Sequence, residues 1–470
     1  MLVLNIEDKL FVRKDKKTIM DNKYIVAFDF GSETTSVAVG ISDSSQQFGV
    51  NVLYQETVPS KGFRRGTIGS ISEVQSVIAP LWDNAKRQMK NNYGYIIIAN
   101  IGGLNYRYEE CRKIFNVQNV DIDQKLIEDF RKKAEESYYV ADDEEVVRFL
   151  DKAYSIDSGK SFMSVIGKTG SKLEARYLAC IIKKEVAEQI NKTIPKRMTA
   201  SKFYTSASAK GAIYLNNEDK KNVVALVDLG ATTTNIAVYS QGCLSAEASL
   251  PFGSDTITND IVQGLELTKQ QAIELKHFYG LNSKEIITQR IPEGKRFITN
   301  KFADDTSVEI DFDKYDFIVR ARVQEIASYV WSVIAKFRLT NNLSYILLVG
   351  GGAELKGIAT EFYNATLKET RVASLPLNID VTSPIIGAIG MIALYVSENE
   401  EDNLLTQKVE PEPIPMPEEQ EEKKEEKENR KEDSKSGKEK KGFFHKFSAK
   451  MNGMFEAMND GPSLGDEKED

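Results

Sequence analysis

One short pattern occurs twice in this chain, and it constrains the fold more than any other feature of the sequence. Residues 29–39 read DFGSETTSVAV and residues 228–238 read DLGATTTNIAV, identical at six of eleven positions. Unrelated segments of that length would share about one. Each copy follows an apolar stretch, YIVAFDF at 24–30 and VVALVDL at 223–229, and runs into another. The spacing predicts two equivalent strand–turn–strand loops, over 29–35 and 228–234.

The residue types in these loops suit a phosphate. Gly31 and Gly230 let the backbone turn tightly and bring its N–H groups against an anion. The hydroxyls of Ser32, Thr34 and Thr35, and of Thr232, Thr233 and Thr234, add neutral donors. Asp29 and Asp228, at the strand ends, would repel phosphate on their own. Their presence makes sense if Mg²⁺, bound through its waters, lies between them. Two incidental hairpin turns are the plainer reading of either loop alone; the match between the copies argues against it. A third loop, LLVGGGAELKG at 347–357, places Gly350, Gly351 and Gly352 between an apolar strand and a helix. Such a turn also serves plain helix packing, and it gains weight here as the third element of one site.

From residue 24 to 396 the chain alternates strands with helices. YIIIANI (95–101) and YILLVGG (345–351) add two more buried strands, and helical periodicity runs over 73–90, 183–194 and 317–337. This is an α/β architecture. With 62 Lys+Arg against 70 Asp+Glu, the net charge of -8 argues against a nucleic-acid partner. Cys111, Cys180 and Cys243 are too scattered for a disulfide framework or a metal site. Two histidines, His277 and His445, leave little for a histidine-based catalytic pair. The N-terminus breaks its apolar runs with charges, so no signal peptide is expected and residues 1–19 read as a loose extension. No run approaches the ~20 apolar residues of a membrane span, and the chain is expected in the cytoplasm.

Past residue 397 the composition changes. Pro411, Pro413, Pro415 and Pro417 lead into a Glu/Lys run with almost nothing apolar, which reads as a disordered tether. Apolar residues return at 442–458, GFFHKFSAKMNGMFEAM. On a helix, Phe443, Phe444, Phe447, Met451, Met454, Phe455 and Met458 fall within an arc of about 120°, flanked by Lys446 and Lys450. A rod of about 24 Å is too short to cross a bilayer and suits the interface, with Phe and Met in the acyl boundary and lysines at anionic headgroups. A partner-protein helix and a helix folded back on the body are the alternatives, and closing the long tether disfavours the second. One such anchor binds weakly; many on one filament act together by effective concentration.

Two phosphate loops about 200 residues apart, followed by a strand–GGG–helix loop, resemble the actin/chaperone/sugar-kinase superfamily. Within it the chain is similar to the FtsA family of bacterial division proteins, from about residue 23 to 396 and again at the C-terminal tip. RGTIGSISEV (65–74), IGKTGSKLEARYLACI (166–181), PFGSDTITNDI (251–261), ELKHFYG (274–280) and SPIIGAIGMIALY (383–395) follow in the family's order. The resemblance implies an actin-like, ribonuclease H-like two-lobed α/β fold. Its expected parts are an extension (1–22), a first lobe (23–94 and 181–222), an inserted FtsA-type subdomain (95–180) and a second lobe that returns to the first (223–396). A disordered charged linker (397–441), an amphipathic membrane-targeting helix (442–460) and an acidic tail (461–470) complete it. It further implies ATP with Mg²⁺ between the lobes, held by the three loops and by Lys276, and polymerisation into actin-like protofilaments. The partners it implies are the FtsZ C-terminal peptide, docking within about 270–320, the inner face of the plasma membrane at the septum, and later division proteins.

The chain departs from the family pattern at the site itself. Thr34 stands where a lysine is usual, and Glu33 adds a negative charge at the loop tip. Ala231 and Thr232 replace two glycines, Asn235 replaces an aspartate, and Ile273 and Lys276 replace a Glu–Lys pair that contacts ribose. Segment 201–211, SKFYTSASAKG, offers no carboxylate or glutamine to orient an attacking water, so binding without efficient hydrolysis is expected. The rival readings are a PilM-like actin-fold platform for pilus assembly and a sugar-kinase-type phosphotransferase. The latter would need a catalytic carboxylate that the sequence does not reveal.

Overall fold

The computed structural model describes residues 23–89, 94–195, 198–281, 297–374 and 383–400. The expected N-terminal extension, the charged linker from residue 401 on and the amphipathic helix with Phe443 to Met458 lie outside them. Residues 397–400, expected to begin the linker, instead continue the last helix, where Glu398 is held by ion pairs. The chain starts with an antiparallel meander, β1 (Lys23–Phe30), β2 (Thr34–Ser42) and β3 (Val50–Pro59). Helix α1 (Ile71–Gln88) then crosses to β4 (Gly94–Ile101), parallel to β1. Its Ser70 cap accepts from Glu73 N–H, and Val74, Val77, Ile78 and Leu81 form its buried face. An insert follows: β5 (Tyr106–Asn116), α2 (Gln124–Glu136), β6 (Glu144–Ile156) and β7 (Lys172–Lys183). Helix α3 (Lys184–Thr193), β8 (Lys202–Thr205) and α4 (Ser206–Tyr214) return the chain to the first sheet, whose order is β8-β4-β1-β2-β3.

The second sheet repeats this plan. β9 (Val223–Leu229), β10 (Thr234–Ser240) and β11 (Cys243–Leu250) form the meander, followed by α5 (Ser254–Leu265) and α6 (Lys269–Tyr279). After the hairpin β12 (Phe297–Lys301)–β13 (Ser307–Asp311) and the long α7 (Phe312–Lys336) come β14 (Tyr345–Val349), α8 (Ile358–Thr366) and β15 (Thr370–Val372). The order β15-β14-β9-β10-β11 matches the first sheet strand for strand. Registers match too: Asp29 faces Ser36 and Phe30 faces Thr35, as Asp228 faces Asn235 and Leu229 faces Thr234. The repeat in the sequence is thus a repeat of topology.

The insert begins later than residue 95. Tyr95–Ile101 is not part of it: Ile97 pairs with Val26 at the centre of the first sheet, because these residues are apolar toward both helical layers. The insert proper is an antiparallel sheet in which β7 lies between β5 and β6, covered by α2 through Ile127, Phe130 and Ala134. Its strands run to Lys183, three residues past the expected end.

Helix α9 (Ile386–Glu400) closes the first lobe, packing Ile389, Met391 and Ile392 on Ile25, Ala27 and Ala38. Helix α4 is shared: Ala209 and Ile213 belong to that core, while Ala207 packs with Val224, Leu226 and Ala237 of the second. Small residues permit the approach. A Cβ at Gly390 would overlap the backbone of Ala209, and one at Gly211 would overlap Tyr239.

The end of α9 is fastened by charge. Arg148 of the insert lies 2.5 Å from Glu398, Lys202 of β8 lies 2.9 Å from its other oxygen, and Tyr204 donates to it at 3.0 Å. The Arg148 guanidinium also covers the Tyr204 ring. Burial pushes the Glu398 carboxyl up, but Arg148 and Lys202 more than offset this and hold it below 4.5. Leaving Arg148 without Glu398 is expected to cost about 3 kcal/mol in Glu398→Ala, read from urea unfolding at neutral pH. A carboxylate held down in the folded state contributes stability above its ordinary pKa and loses it as pH falls through the folded value. The gap between wild type and variant should therefore be full at pH 7 and shrink below about pH 4.5. A gap that persists into acid would contradict the ion-pair account.

Candidate functional site

The two hairpin turns carry the same hydrogen bond: Gly31 N–H donates to Thr34 O and Gly230 N–H to Thr233 O, both at 3.0 Å. Side chains at these glycines would press on those carbonyls. The turns meet across the cleft, where Ser32 Oγ and Thr232 Oγ1 lie 2.6 Å apart. The backbone N–H of Arg65 donates to both, at 3.0 and 3.2 Å. Arg65 comes from the turn between Phe63–Arg64 and Thr67–Ile68, which Gly66 seats on Gly102. The first element of the RGTIGSISEV motif is therefore part of the junction.

Other hydroxyls brace the turns. Thr35 Oγ1 pairs with Ser60 Oγ, which donates to Gly31 O at 2.6 Å, and Thr234 Oγ1 donates to Phe252 O at 2.8 Å. Thr34 and Thr233 are half-buried at the turn exits. The second turn also rests on the N-terminus of α5, where Ser254 and Asp255 N–H donate to Gly230 O and Ala231 O. Of the third loop, Gly350 (φ +87°) packs on Asp228 and Leu229 and Gly352 on Leu229, whereas Gly351 has open space beside it. Lys276 is turned inward. Its Nζ donates to Thr258 Oγ1 at 2.8 Å; burial lowers its pKa, and Asp255 and Glu33 work against that.

The aspartates at the ends of β1 and β9 are surrounded differently from expectation. Where the sequence suggests hydrated Mg²⁺, the structure has an ammonium: Lys210 Nζ of α4 lies 2.5 Å from Asp228 Oδ1. Asn235 Nδ2 donates to Asp228 Oδ2 at 3.3 Å, so both carboxylate oxygens are engaged. Burial pushes the Asp29 carboxyl up to about 6, against the pull of the Lys210 charge and with a further push from Asp228. Burial alone would lower the Lys210 pKa; Asp228 and Asp29 more than offset it and hold it above 10.5. Among the described residues, no group of three or more His, Cys, Asp or Glu side chains is placed to hold a metal. This donor set does not fit a divalent cation while Lys210 holds Asp228.

Reading the sequence missed Lys210, Asn100 and Glu247. Asn100 clamps the end of β1, accepting from Phe30 N–H and donating to Phe30 O. Glu247 of β11 accepts from Tyr106, Thr205 and Ser208 across the lobes. Lys210 left a signal: it is the one charge in SASAKGAIY, a helix otherwise of small and apolar residues, five of which are buried.

A family model described as cell division protein FtsA matches residues 225–389, from within β9 to the start of α9. Cell division protein FtsA of Bacillus subtilis (strain 168) is 27% identical over 380 residues, covering 79% of this chain and 83% of the relative. The Escherichia coli (strain K12) protein of that name is 21% identical over 367 residues, covering 76% and 86%. Over these residues the chain resembles the FtsA family. Among solved structures, the PilM-PilN type IV pilus biogenesis complex superposes with a TM-score of 0.52 at 14% identity, covering 79% of this chain and 98% of that one. That likeness is one of fold, and the fold is the actin-like two-lobed α/β fold that FtsA-like sequence implies.

A glycine stands against each aspartate. A Cβ at Gly387, in the first turn of α9, would overlap Asp29 Oδ2. Gly→Ala inside a helix ordinarily gains up to about 1 kcal/mol. In Gly387→Ala the sign should reverse, to a loss of about 1–3 kcal/mol from forced overlap. Equilibrium urea unfolding measures it, and a gain would show that Asp29 is not held where described.

Proposed function

We propose that this chain is an ATP-binding, filament-forming adaptor of cell division that joins FtsZ to the cytoplasmic face of the membrane at the septum. The observation that carries the nucleotide part is the meeting of two equivalent turns at Ser32 and Thr232, with the third glycine loop packed on Asp228. In this reading the phosphates take the place of the Ser32–Thr232 hydrogen bond. They are held by backbone N–H groups of the two turns, by Ser32, Thr34, Thr232 and Thr233, and by the N–H of Arg65. Adenosine lies along Gly350–Gly352, where Gly351 leaves room. ATP then acts as a ligand that sets the angle between the lobes. The family supports self-association and FtsZ-peptide binding on the second lobe. Residues 442–460 support peripheral attachment, and among the described residues no helix is long and apolar enough to cross a membrane. The PilM-like reading rests on fold alone and lacks the tethered amphipathic segment as a counterpart.

Calorimetry with ATP and ADP tests the first part; absence of heat for both removes the centre of this reading. For the second, full-length chain and a truncation at about residue 440 are spun with anionic vesicles. The full chain is expected to pellet and the truncation to stay in the supernatant. Equal pelleting would reject the anchor.

A further inference from the structure

We propose that the Lys210 ammonium takes the position that family resemblance gives to Mg²⁺, so that this chain binds nucleotide through a cation of its own. The inference rests on the nucleotide reading above and specifies its charge chemistry. Three observations carry it. The first is placement: α4 is wedged between the cores of both lobes, with Ala209 against Gly390 and Gly211 against Tyr239, so the root of Lys210 has little freedom. Its side chain is 15% exposed, and its Nζ lies 2.5 Å from Asp228 Oδ1.

The second is saturation of the carboxylate. Asp228 gives one oxygen to Lys210 and the other to Asn235, at the position where the resemblance expects another aspartate. Gly350 packs on the same Oδ1, which leaves that side of the carboxylate closed. Mg²⁺ demands a near-octahedral shell of oxygens and keeps several waters. An ammonium in contact with the carboxylate both blocks that shell and repels the dication.

The third is charge. The first turn has Thr34 where the family carries a lysine, and Glu33 beside it. Two aspartates at the strand ends then face the phosphates with no cation from the turns. Lys210 is a lysine in an otherwise uncharged helix, and both aspartates act on it. It supplies at the floor of the cleft the positive charge that the first turn lacks. It does so permanently, whereas a metal must be recruited with each nucleotide.

The test uses full-length protein and a fluorescent ATP analogue, titrated in excess Mg²⁺ and in EDTA. Wild type is expected to bind with affinities that agree within about twofold, whereas Lys210→Met should require Mg²⁺ and tighten at least about tenfold when it is added. A wild-type affinity that falls tenfold or more in EDTA would overturn the proposal and leave nucleotide binding intact. A second arm needs no nucleotide: Mn²⁺ titrated into the protein and followed by electron paramagnetic resonance. Wild type should bind no ion at the cleft, and Lys210→Met should gain one that Asp228→Asn in the same background abolishes. A tight cleft ion in wild type would sink the inference. If neither ATP nor ADP binds in either buffer, the nucleotide reading fails and the manganese arm still decides the role of Lys210. Should Lys210→Met not fold, the wild-type comparisons decide alone.

Discussion

Two carboxylates at the ends of matching strands, Asp228 buried and Asp29 half-buried, set the terms for everything around them. A buried charge is tolerated only when paired and hydrogen-bonded. Asp228, 2% exposed, meets that condition with Lys210 and Asn235. Asp29 meets it less fully: burial lifts its carboxyl to about 6 even with the Lys210 charge nearby. Glycines at 387 and 350 follow from the same constraint, since any side chain there would displace a carboxylate oxygen. The helices that bring those groups, α4 and α9, are accordingly built of small residues where they cross.

That crossing explains how a duplicated sheet becomes a two-lobed site. Each sheet alone presents one turn, with too few donors to hold a polyphosphate. α4 packs Ala207 into one core and Ala209 and Ile213 into the other, which fixes the two turns opposite each other at Ser32 and Thr232. The Arg148–Glu398 pair then ties the insert to the far end of α9. The insert is thus anchored to the same helix that bears on Asp29.

Much of this was legible in the sequence, for a local reason. Gly31 and Gly230 mark their turns because the backbone there closes over three residues, and the apolar strands around them are buried on both faces. The repeat therefore announced the matched registers of Asp29 and Asp228. What escaped was long-range. Thr35 and Thr234 look like phosphate ligands beside Thr34 and Thr233, yet pair alternation in a strand sends their hydroxyls to Ser60 and Phe252 O behind the turns. Tyr95–Ile101 reads as the start of the insert by position, and only pairing with β1 reveals it as a central strand. Lys210 stands 18 residues before its partner Asp228, in a segment that reads locally as one lacking a carboxylate and gives no sign of the distant aspartate its ammonium meets. Glu247 needs partners 39, 42 and 141 residues away, beyond the reach of any local pattern.

The same helix that carries Lys210 is also wired to the lobe interface. Thr205 caps α4 and Ser208 sits in its first turn, and both donate to Glu247 of the second lobe, which also receives Tyr106 from the insert. Burial raises the Glu247 carboxyl above its ordinary value, and these hydroxyls work against that. A shift of α4 therefore has two costs at once: it lengthens the contact between Lys210 and Asp228, and it strands a buried carboxylate shared by three elements. The Lys210–Asp228 contact and the Glu247 contacts are thereby linked through a single nine-residue helix.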